Sequence, residues 1–325
     1  VSLSARSVLE RLRTGDVRAR VAALQDVPRI EATPEVVAEV VALLAHGEAR
    51  VRRLALEVLA LGADGGALSV DGNLWRRALE LRRDPDAAVR AEVAVALATL
   101  PGVDLDEAAV VLLAMLRDEA PQVRREAAAA LGDLRLERAR GTLVERLGLD
   151  LDADTRFELA FALATLRDEA ALEPMVAALG TPRFTDACEG LKRLGDARAI
   201  EPIRGHALRF FLGWPERIVA HATLYALGAH EEATRYLLGK LDVWNRGERE
   251  LAIATLGHLQ VAAARQRLER IAADKKDRAR GVAITALGHL GDEASRPLLA
   301  QLTDDRAVAE DVAHALALLA ARRSP

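Results

Sequence analysis

Between residues 106 and 134 the chain reads DEAAVVLLAMLRDEAPQVRREAAAALGDL. The first stretch, 106–117, is almost continuously apolar and predicts a buried helix. Asp118 to Pro121 predict a turn, with Pro121 in a first-turn position where its missing N–H costs nothing. Beyond it, Val123, Ala127, Leu131 and Leu134 fall on one stripe at helical spacing and predict a second helix ending near Leu134. Gly132 is expected to loosen that end. The unit is a helical hairpin, and its alanines permit close approach between neighbouring hairpins.

The same pattern recurs along the chain, and a fixed repeat outranks every other sequence signal. Aligned on a leucine late in each second helix, the copies fall at Leu59, Leu97, Leu131, Leu163, Leu191, Leu227, Leu256, Leu287 and Leu316, 28–38 residues apart. An arginine stands seven residues earlier in six of these nine copies: Arg52, Arg90, Arg124, Arg156, Arg249 and Arg280. An aspartate precedes four of the arginines by six residues, giving Asp84 with Arg90, Asp118 with Arg124, Asp150 with Arg156, and Asp274 with Arg280. These acid–base sets are expected to pair within a unit or with the next, forming a structural ladder. Phosphate binding by the arginines is the weaker alternative, because each arrives with its own counter-ion.

Units of this kind, with L-x-D-x5-R-x2-A-x3-L-x2-L best seen in RRDPDAAVRAEVAVALATL, RDEAPQVRREAAAALGDL and ADKKDRARGVAITALGHLGDEA, resemble the bacterial HEAT-like repeat also found in phycobilisome lyases. The resemblance covers residues 34–320. It implies an all-α, right-handed α-solenoid of nine or ten hairpins, with second helices lining the concave side, and a protein that binds other proteins. On this reading residues 1–325 form a single solenoid. Its parts are an N-terminal cap (1–30), regular repeats (34–180), divergent repeats (181–248), and regular repeats with a C-terminal cap (249–325). Exposed ends of a one-dimensional stack need polar caps.

Composition agrees with that reading and narrows the function. Hydrophobic residues make up 51% of the 325 positions and aromatics only 3%, which suits closely packed helices better than sheets. A formal charge of −4 provides no global field for nucleic acid. Cys188 is the single cysteine, so no intrachain disulfide forms, and it is expected to be a buried thiol rather than a nucleophile. The first residues lack the apolar core of a secretory signal, and no run is long and apolar enough to span a membrane. A cytoplasmic protein is expected.

Departures from the repeat are the places to look for function. Phe184 and Ala220 occupy ladder-arginine positions in the divergent stretch, and six of the ten aromatics lie between 210 and 244. These six, Phe210, Phe211, Trp214, Tyr225, Tyr236 and Trp244, are the candidate partner interface, with Trp214 and Trp244 expected at equivalent turns of successive repeats. Filling of irregular packing is the competing reading. His258 and His289 share a repeat position and are expected to stack, without enough further donors for a metal. The HEAT-type deoxyhypusine hydroxylases bind iron through repeated His–Glu pairs, and here only His230–Glu231 matches, in an expected loop. The segment RQRLERIAADKKDRAR (265–280) holds seven bases and three acids and is expected to be solvated surface. No nucleotide-binding, zinc-protease or hydrolase motif is present.

The resulting expectation is a protein-binding scaffold or adaptor with another protein as partner, no cofactor, no metal and no catalytic residue. The alternatives are a HEAT-repeat enzyme or enzyme subunit, of the bilin-lyase or DNA-glycosylase kind, and a nucleic-acid-binding module.

Overall fold

The computed structural model describes residues 4–64, 72–209 and 212–322. Among these, every regular element is helical, and the chain divides into two compact units, 1–174 and 175–325. Both are built from antiparallel helical hairpins whose second helices pack on one another in succession. In the first unit these are Ala49–Asp64, Ala87–Thr99, Pro121–Asp133 and Ala153–Thr165. The second unit has Phe184–Leu194, Trp214–Ala226, Arg246–His258, Arg280–Leu290 and Ala309–Ala321.

Local chemistry sets the hairpin boundaries. First helices commonly run out into a turn of 3-10 helix, such as Leu81–Arg83, and an acid or proline then opens the next helix. The Asp86 carboxylate accepts from the Ala88 and Val89 N–H groups, and Asp152 accepts from Thr155. Pro121 occupies the first turn of its helix. Each device satisfies or removes N–H groups that a helix start leaves without partners. Leu97, Leu131, Leu163, Leu191, Leu256 and Leu287 are fully buried between helices. Burial of each such side chain contributes about 1.5–3 kcal/mol.

The acid–arginine pairs cross from one repeat to the next. Arg52 holds Asp84 through two bonds of 2.7 and 2.8 Å, Arg90 holds Asp118 at 2.8 Å twice, and Arg124 holds Asp150 at 2.6 and 2.9 Å. Within its own repeat each arginine donates its remaining guanidinium nitrogen to turn carbonyls, as Arg90 does to Asp84 and Pro85. One guanidinium thus closes its own hairpin turn and clamps the next. Burial pushes the Asp84 carboxyl up, but Arg52 and the Asp86 N–H outweigh it and hold Asp84 below the usual carboxylate range.

Two members of the expected ladder lie elsewhere. Arg156 is exposed, and Asp150 is taken by Arg124 and Arg146. In that repeat the neighbouring Thr155 is buried and its hydroxyl reaches the Pro121 carbonyl at 3.3 Å. Asp274 is exposed, and the ladder acid is Asp277, which receives Arg249 at 2.8 and 2.6 Å, while Arg280 pairs with Asp305 at 2.6 Å. The cause is the turn. Helices starting at Ala87 and Pro121 begin three residues before their arginines, whereas Arg280 itself opens its helix, so its acid stands three residues back rather than six.

The divergent stretch also keeps a ladder arginine. In the helix Trp214–Ala226 the fully buried leucine is Leu224, not Leu227, and the arginine seven residues before it is Arg217. Arg217 donates to the carbonyl of Arg209 eight residues earlier, as Arg249 does to Leu241 and Arg280 to Ala272. Leu224 falls 33 residues after Leu191 and 32 before Leu256, so the repeat is regular in register although not in composition. Gly132 also has a packing role rather than a loosening one, because a Cβ there would sit 2.9 Å from the Ala162 Cα of the next repeat.

Candidate functional site

The cluster of aromatics divides into packed and exposed members. Trp214 is the first residue of its helix, half-buried against the core of the second unit, and its indole lies over the backbone of Gly247, where a Cβ would approach it to 3.3 Å. Tyr236 stacks face to face on His221, with ring centroids 3.6 Å apart and planes 6° from parallel, and the Lys240 ammonium lies 4.9 Å from the Tyr236 ring. Tyr225 meets His230 edge-on at 4.5 Å. His221 is buried, which lowers its pKa, and its Nδ1 lies 2.8 Å from the Arg217 carbonyl. These rings serve packing within one hairpin and its neighbour. Phe210 and Phe211 lie outside the described residues.

Trp244 differs: it is 95% exposed. It sits between a 3-10 turn, Lys240–Asp242, and Asn245, whose side chain accepts from the Glu248 N–H and caps the helix Arg246–His258. The next repeat's turn lies opposite, bent by Asp274 and Asp277, which accept from the Lys276 and Ala279 N–H groups. The Arg249–Asp277 ladder pair ties the two turns together. Between them runs a groove of about 490 Å³ lined by Val243, Trp244, Arg246, Lys276, Arg278 and Ala279 along with that pair. Arg246 is engaged by Glu250 at 2.7 Å. Lys276 and Arg278 are exposed and form no ion pair among the described residues. An exposed indole beside two uncompensated cations is what the arrangement offers a ligand.

Cys188 is fully buried, and burial pushes its pKa up to about 12, which keeps it a thiol at neutral pH. No three His, Cys, Asp or Glu side chains among the described residues converge as a metal site would require. His258 and His289 stand 4.1 Å apart by ring centroid, and His289 lies 6.1 Å from His314. Burial, then the neighbouring His258, His314 and Arg322, lowers the His289 pKa. His230 and Glu231 open a helix rather than lying in a loop.

Among the described residues, Glu92 is the most perturbed carboxyl. Its side chain is 14% exposed, and burial, with Glu57 and Glu126 adding repulsion, raises its pKa to about 7 despite Arg53 at 3.8 Å. A carboxyl raised on folding stabilises in its protonated form. That contribution is complete below about pH 4.5 and is lost as pH rises towards 7. Glu92→Gln is therefore expected to stabilise the first unit by roughly 2–3 kcal/mol at pH 8 and to leave it unchanged at pH 4.5. Denaturant midpoints of both chains across that range test this, and equal midpoints at pH 8 would remove Glu92 as a buried repulsive charge.

Comparisons with known proteins address the fold. Residues 77–164 match the model for HEAT repeats, and residues 155–181 and 279–305 match that for the PBS lyase HEAT-like repeat. No curated protein sequence matches significantly. Among solved structures, the chain resembles one in the Kap95:Nup1 complex, with 12% identity and a TM-score of 0.54, and importin beta, with 13% identity and a TM-score of 0.53. In each case 97% of this chain is covered, and it spans about half (51%) of the other. The complex of CpcE and CpcF of phycocyanin lyase from Nostoc sp. matches 78% of this chain and 95% of the other, with 21% identity and a TM-score of 0.48. The two longer likenesses show an all-α solenoid fold, and the family matches place HEAT-like repeats at residues 77–181 and 279–305.

Proposed function

We propose, from the premise that this chain is built of HEAT-like repeats, that it is a protein–protein interaction scaffold whose second unit carries the principal partner anchor at Trp244. One observation carries this reading. Of three tryptophans, Trp75 is buried and Trp214 is half-buried against the core, whereas Trp244 stands 95% exposed at the mouth of an inter-repeat groove. Leaving a large indole in water forgoes its burial energy, and tryptophan is the residue type most enriched where partners bind tightly. The Kap95:Nup1 complex is an instance of a solenoid chain held with a protein partner, and it supports the class of function only.

Trp244→Ala is expected to reduce partner retention from cell extract by at least about tenfold, the scale of a hot-spot tryptophan, without changing helicity or melting. Trp214→Ala, which removes packing against Gly247, is expected to lower the melting temperature instead. Quantitative capture with the immobilised chain and circular dichroism of the same samples separate the two. Wild-type retention by the Trp244→Ala chain would end Trp244's role as the anchor.

A further inference from the structure

The groove at Trp244 also states the chemistry of what fills it. We infer that it takes a short acidic segment of a partner protein, with an apolar side chain seated on the Trp244 indole and carboxylates facing Lys276 and Arg278. This deepens the scaffold reading and rests on it.

Charge balance at the groove selects the occupant. The arginines that pack around this groove and along the following repeat come with their own acids: Arg246 has Glu250, Arg249 has Asp277, Arg280 has Asp305, and Arg265 has Glu269 and Asp292. Lys276 and Arg278 do not, and both belong to the same turn on the rim of the groove. The acid between them, Asp277, is already spent on Arg249 and on capping the Ala279 N–H. Two free cations flanking a ladder pair leave the groove positive in a chain whose overall charge is −4. Positive rims steer and orient acidic partners, and the indole supplies the apolar contact that charge alone lacks. A nucleic acid fits less well, since neutralising successive phosphates calls for a run of cations and this groove offers two without partners.

The test uses the full chain and synthetic peptides. Three twelve-residue peptides share a central Leu-Phe and differ in their flanks, which are Glu-rich, Gln-rich or Lys-rich. Trp244 is by far the most exposed of the three indoles, so a blue shift at the red edge of tryptophan emission reports its covering. The Glu-rich peptide is expected to bind at least tenfold more tightly than the Gln-rich one, about 1.4 kcal/mol, and to weaken as salt rises. Binding should fall by a similar factor in the Lys276→Glu, Arg278→Glu double variant, and the emission shift should vanish with Trp244→Ala. Equal binding of the Glu-rich and Gln-rich peptides overturns the inference, as does undiminished binding by the charge-reversed chain. Tighter binding of a single-stranded oligonucleotide of equal length overturns it in favour of nucleic acid. Capture from extract keeps the two readings apart. A partner lost with Trp244→Ala but retained by the charge-reversed chain defeats the acidic segment and leaves the scaffold standing, whereas a wild-type chain that retains no protein defeats the scaffold itself.

Discussion

Arg52→Ala is expected to destabilise the first unit by about 3–5 kcal/mol, the cost of leaving a buried charge without its partner. Asp84 is 4% exposed at its side chain, and the Arg52 guanidinium makes two of its bonds. Removal of Arg52 strands that carboxylate, and it frees the His46 and Gly47 carbonyls that the same guanidinium holds at 2.8 Å. Because Asp84 is then no longer held below the usual range, the loss should be greatest near neutral pH and smaller in acid, where protonation removes the stranded charge. The double variant Arg52→Met, Asp84→Leu should recover most of the stability, since buried pairs can be exchanged for apolar residues of similar volume. Arg156→Ala, at an exposed arginine from the same position of the sequence repeat, should change it by no more than about 0.5 kcal/mol. Stacked repeats can unfold in steps, so the denaturant midpoint of the transition that moves is the proper readout. Equal effects of Arg52→Ala and Arg156→Ala would mean that the ladder pair is incidental.

That contrast marks the limit of what the repeat pattern discloses. Hairpins, all-α class and the buried leucines follow from helical spacing, because burial on one face is what produces the spacing. The register within the divergent stretch does not. Leu224 and Leu227 lie three residues apart on a helix of about 3.6 residues per turn, so they share a face, and periodicity cannot choose between them. Only the turn geometry does, by placing Arg217 and not Ala220 over the preceding turn. The acids slip for a related reason: a helix that opens at Arg280 moves its ladder acid from Asp274 to Asp277. Neither slip changes composition, which is why neither is visible in it.

A two-residue offset separates the two tryptophans. Counted from its ladder arginine, Trp214 stands three residues before Arg217 and Trp244 five before Arg249. That offset makes Trp214 the first residue of its helix, packed on the core, and leaves Trp244 in the turn before its helix, in water. Pro215 reinforces the difference by allowing the helix to begin at Trp214, whereas Asn245 caps its helix after Trp244. An aromatic-rich segment was legible as unusual. Which ring faces water was settled by where each helix starts. The unpaired state of Lys276 and Arg278 depends on a helix start too, because Asp277, the acid of their own turn, is taken by Arg249 of the preceding repeat.

Glycine substitution offers the second large effect, and its sign is the informative part. Gly257 sits within the helix Arg246–His258, where an exposed Gly→Ala change would ordinarily stabilise by up to about 1 kcal/mol. Here an added Cβ would lie 2.7 Å from both the Cα and the carbonyl oxygen of Ala286. Those are backbone atoms of the next second helix, so relief requires moving the helix Arg280–Leu290 as a body. Gly288 meets Ala315 in the same way at 2.6 Å, so the close approach is carried on to the following helix. Gly257→Ala is therefore expected to destabilise the second unit by about 1–2 kcal/mol, and Gly257→Val by about 3 kcal/mol, as overpacking against an immovable neighbour does. Gly205→Ala, in a helix of the same unit with open space around the added carbon, should instead be neutral or mildly stabilising. The Gly257 variants should also part the His258 and His289 rings, now 4.1 Å apart, because both rings ride on the two helices that the added carbon separates. Thermal melts of the three variants decide the matter: a Gly257→Val chain melting at or above wild type would show that the helices have room to spare, and the close second-helix contact would cease to be what specifies this stack.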